Sequence, residues 1–502
     1  MRENDIKKMK EFQAMLKEIE YIKYTLNSLI YWDKITNMPK GGIYYRSDVI
    51  SYFGGELYKK FSSARLYKYV EYFEKNYKTD KKISAMMRKI KRNYMYVNQI
   101  PKKVYQDYIT HISLSEAAWE EAKIKDKFEI FAPYLEKIVE YFKKFAEYWG
   151  YEKDPYDALM GYYEDGITTG TMDKLIEELK VSIIEILEQV KSKKLKISKM
   201  KLDGEYSIEK QRYLSEELLK IIGFDFEYGR LDISEHPTTL ASSPKDVRLI
   251  TTFNIKDIVK GIYNTLHEGG KALYEQDIDE NLLGTLLAEV STFSLEEAEA
   301  RIYGSIIGKD RNFCKILLEK IKGIFSEYEK ISVDEFYQEV NRVEPSLIRI
   351  DADELTYLLH IIIRYEIERD LINNKIEVKN LSKIWREKYR EYLKILPETD
   401  RDGVLQDIHW AAGYFGYFPS YLLSIIYSGQ IAGIMDRELG GITERISIDN
   451  LKLIHQWLKE NIHRHGSVYT PEELINNISG EKIDSSYYID YLRKKYNKLY
   501  KI

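Results

Sequence analysis

The chain is predicted to be mainly α: a large helical single domain with a central groove and a small β-sheet set beside one helix. Three observations carry this. Proline is scarce, ten in 502 residues, about 2% against a usual ~5%. The long proline-free runs are rich in Lys, Glu, Leu and Ile, which favour helix, and apolar residues recur in them at helical spacing. The helical period fails in one region, Phe224 to Asn254. There FDFEYGRLDI and VRLITTFN are short, β-branched or alternating and bounded by turn residues, so they read as strands.

Residues 1–30 form an amphipathic pattern through Met9, Phe12, Leu16, Ile19 and Ile22 or Leu26. Pro39, Gly41 and Gly42 break it within YWDKITNMPKGG. Helices are expected over 45–76 and 81–99, with Pro101 starting another and Pro133 a further one that runs to about Tyr148. After the turn at Asp154-Pro155 and the glycines of YDALMGYYEDGITTG, Thr171 is expected to cap a helix reaching about Lys194. The run KSKKLKISKMK from Lys191 reads as a solvated linker, with a patch for acidic partners as the alternative. Helix resumes over 256–273, then over about 282–306, 311–328, 333–342, 353–374 and 380–393, and two or more helices finish the chain. No internal repeat or Pro- or Ser-rich linker divides it. One domain is therefore expected over 1–502, helical to about residue 200 and carrying the candidate chemistry from about 201 onward.

The formal charge of −4, from 77 basic and 81 acidic residues, gives no global reason to expect nucleic acid or an anionic membrane. One cysteine, Cys314, cannot form an internal disulfide, and the N-terminus lacks the apolar core of a signal peptide. A reducing, cytoplasmic setting is expected. Ile408 to Met435 holds no Asp, Glu, Lys or Arg and is long enough to span a bilayer. Its His409, Gly413, Gly416, Pro419 and Gln430 suit a buried segment beside a polar site better than lipid, so no membrane span is expected. The many Lys, Glu and Ile residues suit a thermophile.

Chemistry concentrates in TLHEGGKALYEQ, Thr265 to Gln276. A zinc-hydrolase helix places two histidines four residues apart, because residues i and i+4 share a face and reach one metal. Here His267 and Glu268 are present and the place of the second histidine is taken by Lys271. Taken alone, His267 reads better as a core or surface histidine. Support comes from Glu297 in LEEAEARIYG, since a glutamate on a second helix is a usual third zinc ligand; with Glu296 and Glu299 beside it, a solvated face is the alternative.

Further stretches carry a resemblance. YWDKITNMPKGG holds Trp32, Asp33, Met38 and Pro39, and YDALMGYYEDGITT holds Tyr156, Asp157, Leu159, Glu164, Gly166 and Thr168. Ile348, Arg349, Ala352 and Asp353 form one motif; Gly403, Gln406, Asp407, His409 and Trp410 form another, continuing through GYFGYFPSY to Tyr421. In these residues the chain resembles the Taq-type thermostable carboxypeptidases, metal-dependent enzymes that remove C-terminal residues from peptides. The resemblance runs over almost the whole length. It also shows departures: the family's His-Pro-Phe stands as His236-Pro237-Thr238, and Asp-x-Arg-x-Thr as Asp246, Arg248 and Ile250, with Thr251 one place late. HExxH stands as His267 to Lys271, and His-Glu-Ser-Gln as Glu296 to Glu299.

The resemblance implies zinc or another divalent metal held by His267 and Glu297, with Glu268 as the base that takes a proton from metal-bound water. It offers Arg349 and Arg248 for the terminal carboxylate of a peptide with a free C-terminus, either of which could instead be a structural ion pair. His409 and Tyr421 are offered for the tetrahedral oxyanion. A homodimer and a groove between helical walls are implied as well. Lys271 stands against a working site: an ammonium has no lone pair, and neutralising it at pH 7 costs about 4–5 kcal/mol. Four of the five departures adjoin the metal, while the arginine and His-Trp motifs are intact. Three readings follow. The chain is a metal-deficient, weakly active or inactive relative, a pseudoenzyme candidate with no metal whose Lys271 pairs with Glu297 and with Glu296 or Glu299. Or it is an active metallocarboxypeptidase in which His236 or His409 supplies the missing nitrogen. Or it binds peptide C-termini without chemistry, the strand near Val247 to Phe253 pairing with an extended peptide.

Overall fold

The computed structural model describes residues 2–193, 204–234 and 236–502. From residue 194 onward the lysine-rich run lies outside them. The fold is mainly helical with one small sheet, as expected, and the chain packs as two compact units. One comprises Met1–Val97, Ser198–Val340 and Ile431–Ile483; the other comprises Asn98–Ile197, Asn341–Gln430 and Asp484–Ile502.

The first unit holds the sheet, β1 (Gly229–Ile233), β2 (Thr238–Ser243) and β3 (Asp246–Thr251), in the order β1-β3-β2. β3 is central, parallel to β1 with Leu231 opposite Leu249, and antiparallel to β2 with Thr239 opposite Leu249. β2 is not marked in the sequence: TTLASS has Leu240 as its single large apolar residue, and every one of its side chains is only half-buried. Val247, Leu249 and Ile250 of β3 are fully buried, and the sheet packs on the helix Ile258–Asp277 that carries His267.

Asp257 starts that helix by accepting hydrogen bonds from the backbone N–H groups of Val259 and Lys260, two of the donors a helix N-terminus leaves free. Leu266, Ala272 and Leu273 seat its apolar face. Truncating the wholly buried Leu266 to Ala would cost about 2–5 kcal/mol. Helix Ile208–Ile222, capped by Ser207 and ended at Gly223, lies against it. So does Phe293–Arg301, which begins later than the expected 282. Gly284 and Leu286 adopt φ of 77° and 62°, which breaks any helix there, and Thr292 then caps the real start. After Arg301 the helix widens into a π turn, Ile302–Ile307, against the His267 helix. A similar turn, Thr25–Tyr31, follows helix Glu3–Tyr24 and packs on β2. Ser62 and Ser63 divide the expected 45–76 helix into Ile43–Phe61 and Ala64–Tyr77.

In the second unit, Lys102–Lys125 and Phe128–Trp149 pack as a hairpin across Asp126, which takes the left-handed conformation. Pro133 lies inside the second of these rather than at its start. The helix expected to be capped by Thr171 spans Thr169–Ser192, and its cap is Thr168, whose hydroxyl accepts from the Thr171 N–H. Tyr357–Ile372 is largely buried, with His360, Arg364 and Glu368 wholly enclosed. The uncharged segment becomes a loop and then helix Phe418–Glu438. Among the described residues no helix is long and apolar enough to cross a membrane.

Candidate active site

In the first unit His267, Glu268 and Lys271 project from one helix toward Glu297 on the next. Gly270 sets the spacing: a Cβ there would lie 2.5 Å from the Glu299 carbonyl oxygen, so the two backbones touch because no side chain intervenes. Glu297 is 4% exposed and takes three basic neighbours. His267 Nε2 and Lys271 Nζ lie 3.3 and 3.1 Å from the same oxygen, Oε2, and Arg301 Nη2 lies 3.2 Å from Oε1. Lys271 Nζ is also 3.5 Å from Glu268 Oε1. Of the pairings expected for Lys271, the one with Glu297 forms; Glu268 takes the place foreseen for Glu296 or Glu299, and Glu299 turns instead to His463.

Burial pushes the Glu297 carboxyl up, but Lys271, His267 and Arg301 outweigh it and hold it well below the usual carboxylate range. Burial likewise disfavours the Lys271 ammonium, and Glu268, Glu297 and Glu296 more than offset that, raising its pKa above the ordinary lysine value. Lys271 is charged at neutral pH. Glu296 is pushed up to about 7, chiefly by burial, with Lys271 opposing and Glu268 and Glu297 adding. Thr239 donates to Glu268 Oε2 at 2.8 Å and to the Glu268 carbonyl at 3.1 Å, so both Glu268 oxygens are engaged. Thr239 escaped the sequence reading because it lies on the unrecognised β2.

Arg248 forms an ion pair with Asp246. Its Nε and Nη2 reach Asp246 at 2.7 and 2.9 Å, its Nη1 donates to the Ser28 carbonyl, and its guanidinium lies 5.8 Å over the Trp32 ring. His236 stands exposed between β1 and β2.

The second unit gathers Arg349, His409 and Tyr421 around Asp407. Arg349 donates through Nε and Nη2 to Asp407 Oδ1 at 3.0 and 2.9 Å and through Nη1 to the Tyr357 hydroxyl at 3.1 Å. Arg364, wholly buried, donates to Asp407 Oδ2 at 2.7 Å and to Gln406 Oε1 at 2.8 Å. Two guanidiniums thus share one carboxylate, leaving a net positive charge. Arg349 sits 5.4 Å over the Tyr421 ring, and the His409 ring packs 4.7 Å from Phe418 and 6.4 Å from Tyr421. Burial lowers His409 to about 4, with Asp407 opposing and the two arginines adding, so its imidazole is neutral at pH 7. Glu368 holds the loop that bears it: Trp410 Nε1, the Gly416 N–H and the Tyr156 hydroxyl all donate to that carboxylate, at 2.7, 2.8 and 2.6 Å. Asp407 was visible in its motif; nothing in the local sequence around Arg364 or Glu368 marks either.

The family model described as "Carboxypeptidase Taq (M32) metallopeptidase" matches residues 11–496. Carboxypeptidase 1 of Bacillus subtilis is 38% identical over 493 residues, covering 98% of each chain. Thermostable carboxypeptidase 1 of Thermus thermophilus is 32% identical, again over 98% of each. The solved Pyrococcus furiosus carboxypeptidase superposes with a TM-score of 0.94 at 31% identity, covering 97% of this chain and 99% of that one. The chain belongs to the carboxypeptidase Taq (M32) metallopeptidase family.

Proposed function

We propose that this chain retains the carboxypeptidase scaffold and its capacity to hold a peptide by a free C-terminal carboxylate, while carrying no divalent metal at His267 and Glu297 and so little or no peptidase activity. The observation that carries this is the position of the Lys271 ammonium. It is 3.1 Å from the Glu297 oxygen that also faces His267. A divalent ion needs that oxygen, needs a third lone pair, and would meet a cation a few ångströms away. As the chain stands, the pair does not fit the ion. Of the two candidate rescue ligands, His236 is exposed and the His409 ring packs against Phe418. Glu268, proposed as the base in an active relative, has one oxygen bound by Thr239 and the other by Lys271.

Peptide binding is assigned to Arg349. With Arg364 sharing Asp407, the excess positive charge suits an incoming carboxylate, and a planar guanidinium can bind it in two-pronged fashion. Tyr421 and neutral His409 would line that place. A homodimer belongs to the same reading and is checked by sedimentation.

The test is trimming of a free peptide by purified protein, with metal content measured alongside. Stoichiometric metal lost in His267→Ala, together with C-terminal trimming lost in Glu268→Gln, would overturn the proposal. Under it, peptide binding requires a free C-terminal carboxylate and weakens strongly in Arg349→Ala, and Lys271→His creates metal binding that the native chain lacks at this place.

A further inference from the structure

The geometry points to a divalent-metal site away from the His267–Glu297 pair, at the C-terminal end of the same helix, with Asp277, His455 and His463 as its ligands. It would take an ion that accepts two imidazoles and a carboxylate, of the zinc or cobalt class. Among the described residues these three form the one group of three or more His, Cys, Asp or Glu whose ligand atoms lie within 4.8 Å of one another.

The donors converge on a single oxygen. Asp277 Oδ2 is 2.7 Å from His455 Nε2 and 2.9 Å from His463 Nδ1. Metal–ligand bonds of about 2.0–2.1 Å in a tetrahedral centre would set such donors about 3.3–3.4 Å apart. An opening of about half an ångström therefore converts the hydrogen-bonded cluster into a coordination shell. His455 can supply it, being partly exposed on helix Ile448–Asn461.

Three features mark a site rather than a chance meeting of polar groups. First, His463 turns its other nitrogen, Nε2, to the Glu299 carboxylate at 3.1 Å. Burial disfavours its charge, but with Nδ1 on Asp277 the ring faces a carboxylate on each side, which raises it to about 9. A metal taking Nδ1 therefore displaces a proton and leaves Nε2 toward Glu299, the carboxylate partner a ligating histidine commonly has. The His463 ring is fully buried and stacked on Tyr274 at 5.0 Å, so its orientation is set. Second, Gly223, at φ 110°, ends its helix against His455. A Cβ there would lie 2.3 Å from His455 Nδ1, so the backbone forms a seat for the ring that no other residue permits. Third, Asp277 is the last residue of helix Ile258–Asp277, where the helix dipole favours a cation.

A lysine stands here too, yet it does not exclude the ion as Lys271 does. Lys459 Nζ bonds the other oxygen, Asp277 Oδ1, at 2.9 Å, and its side chain is 45% exposed, so it can rest in water. Lys271, by contrast, is enclosed and bonds the oxygen its histidine needs.

Chelator-stripped full-length protein should be titrated with Zn²⁺ by calorimetry and with Co²⁺ by visible absorption. We expect one equivalent of metal in the native chain and in His267→Ala, and none in His455→Ala. Glu299→Gln, which leaves the ligands in place, should weaken binding about 10–100-fold. His455→Gln repeats the ligand test should the alanine variant not fold, and the Co²⁺ spectrum reports imidazole coordination without any variant. No binding at about 100 µM metal would overturn the assignment, as would binding unaffected by either change at His455. Metal lost in His267→Ala alone would overturn both this site and the metal-free reading of the first. Two equivalents, each lost to its own variant, would uphold this site and overturn only the earlier reading.

Discussion

Replacing Lys271 with methionine keeps the stem of the side chain and removes its charge, so it isolates what the ammonium contributes. Nζ lies 3.1 Å from Glu297 and 3.5 Å from Glu268. At an effective dielectric of about 20 each contact is worth about 5 kcal/mol of attraction, opposed by a desolvation cost of several kcal/mol per buried ion. Removing one partner of such a group costs about 3–5 kcal/mol, because the carboxylates stay buried and lose their cation. Lys271→Met should therefore be about 3–5 kcal/mol less stable in urea unfolding at pH 7. Glu297→Gln should be destabilised as well, and the double variant by about 1–3 kcal/mol less than the two together. The pH dependence has a definite sign. The Lys271 pKa is raised by folding, so its contribution is complete below about 10.4 and is lost as pH rises through the higher folded value. The Glu297 pKa is lowered, so its contribution is present above about 4.3 and is lost as pH falls through the lower folded value. The deficit of the methionine variant should shrink in acid and grow above about pH 7, where Glu296 ionises without the Lys271 charge beside it. A deficit below about 1 kcal/mol, or strict additivity with Glu297→Gln, would refute the ion-pair account.

Glu296 has a folded pKa raised to about 7, so its stabilising effect is complete below its unfolded value near 4.3 and is lost as pH rises through 7; Glu296→Gln should flatten that slope in urea titrations across this window. Glu368→Gln should cost about 1–3 kcal/mol, since an amide must set its NH2 against the Trp410 N–H or against the Gly416 and Tyr156 donors; unfolding followed by tryptophan fluorescence checks it. Gly270→Ala should cost about 1–3 kcal/mol by forcing the Glu299 backbone away, and thermal unfolding unchanged from the native chain would show that the helices are not in contact there.

The helical class and most helices were legible because caps, glycines and apolar spacing are local signals. The misplacements share a cause. Gly284 and Leu286 break an apolar run through backbone conformation, which spacing does not reveal, and β2 is held by its pairing with β3 rather than by its own side chains. Thr168 and Thr171 are equally good caps by type, and only the fold decides between them. At the candidate site, the motif residues were found where spacing or resemblance marked them. The groups that orient them were not: Thr239, Arg364 and Glu368 reach their partners across 29, 43 and 42 residues. The cluster at Asp277 was invisible for the same reason, since His455 and His463 lie 178 and 186 positions away.

The grip of Lys271 on Glu297 has a consequence for any ion that reaches this carboxylate. A cation tied to the same backbone is a competitor that dilution cannot remove. Its effective concentration at the carboxylate is fixed by a four-carbon tether, whereas a free metal must contend from whatever trace level its surroundings supply. Raising external metal would shift that contest slowly, while changing one side chain would end it. Under the proposed metal-free reading, the pair would behave as a self-inhibited binding site, with its inhibitor encoded in the chain.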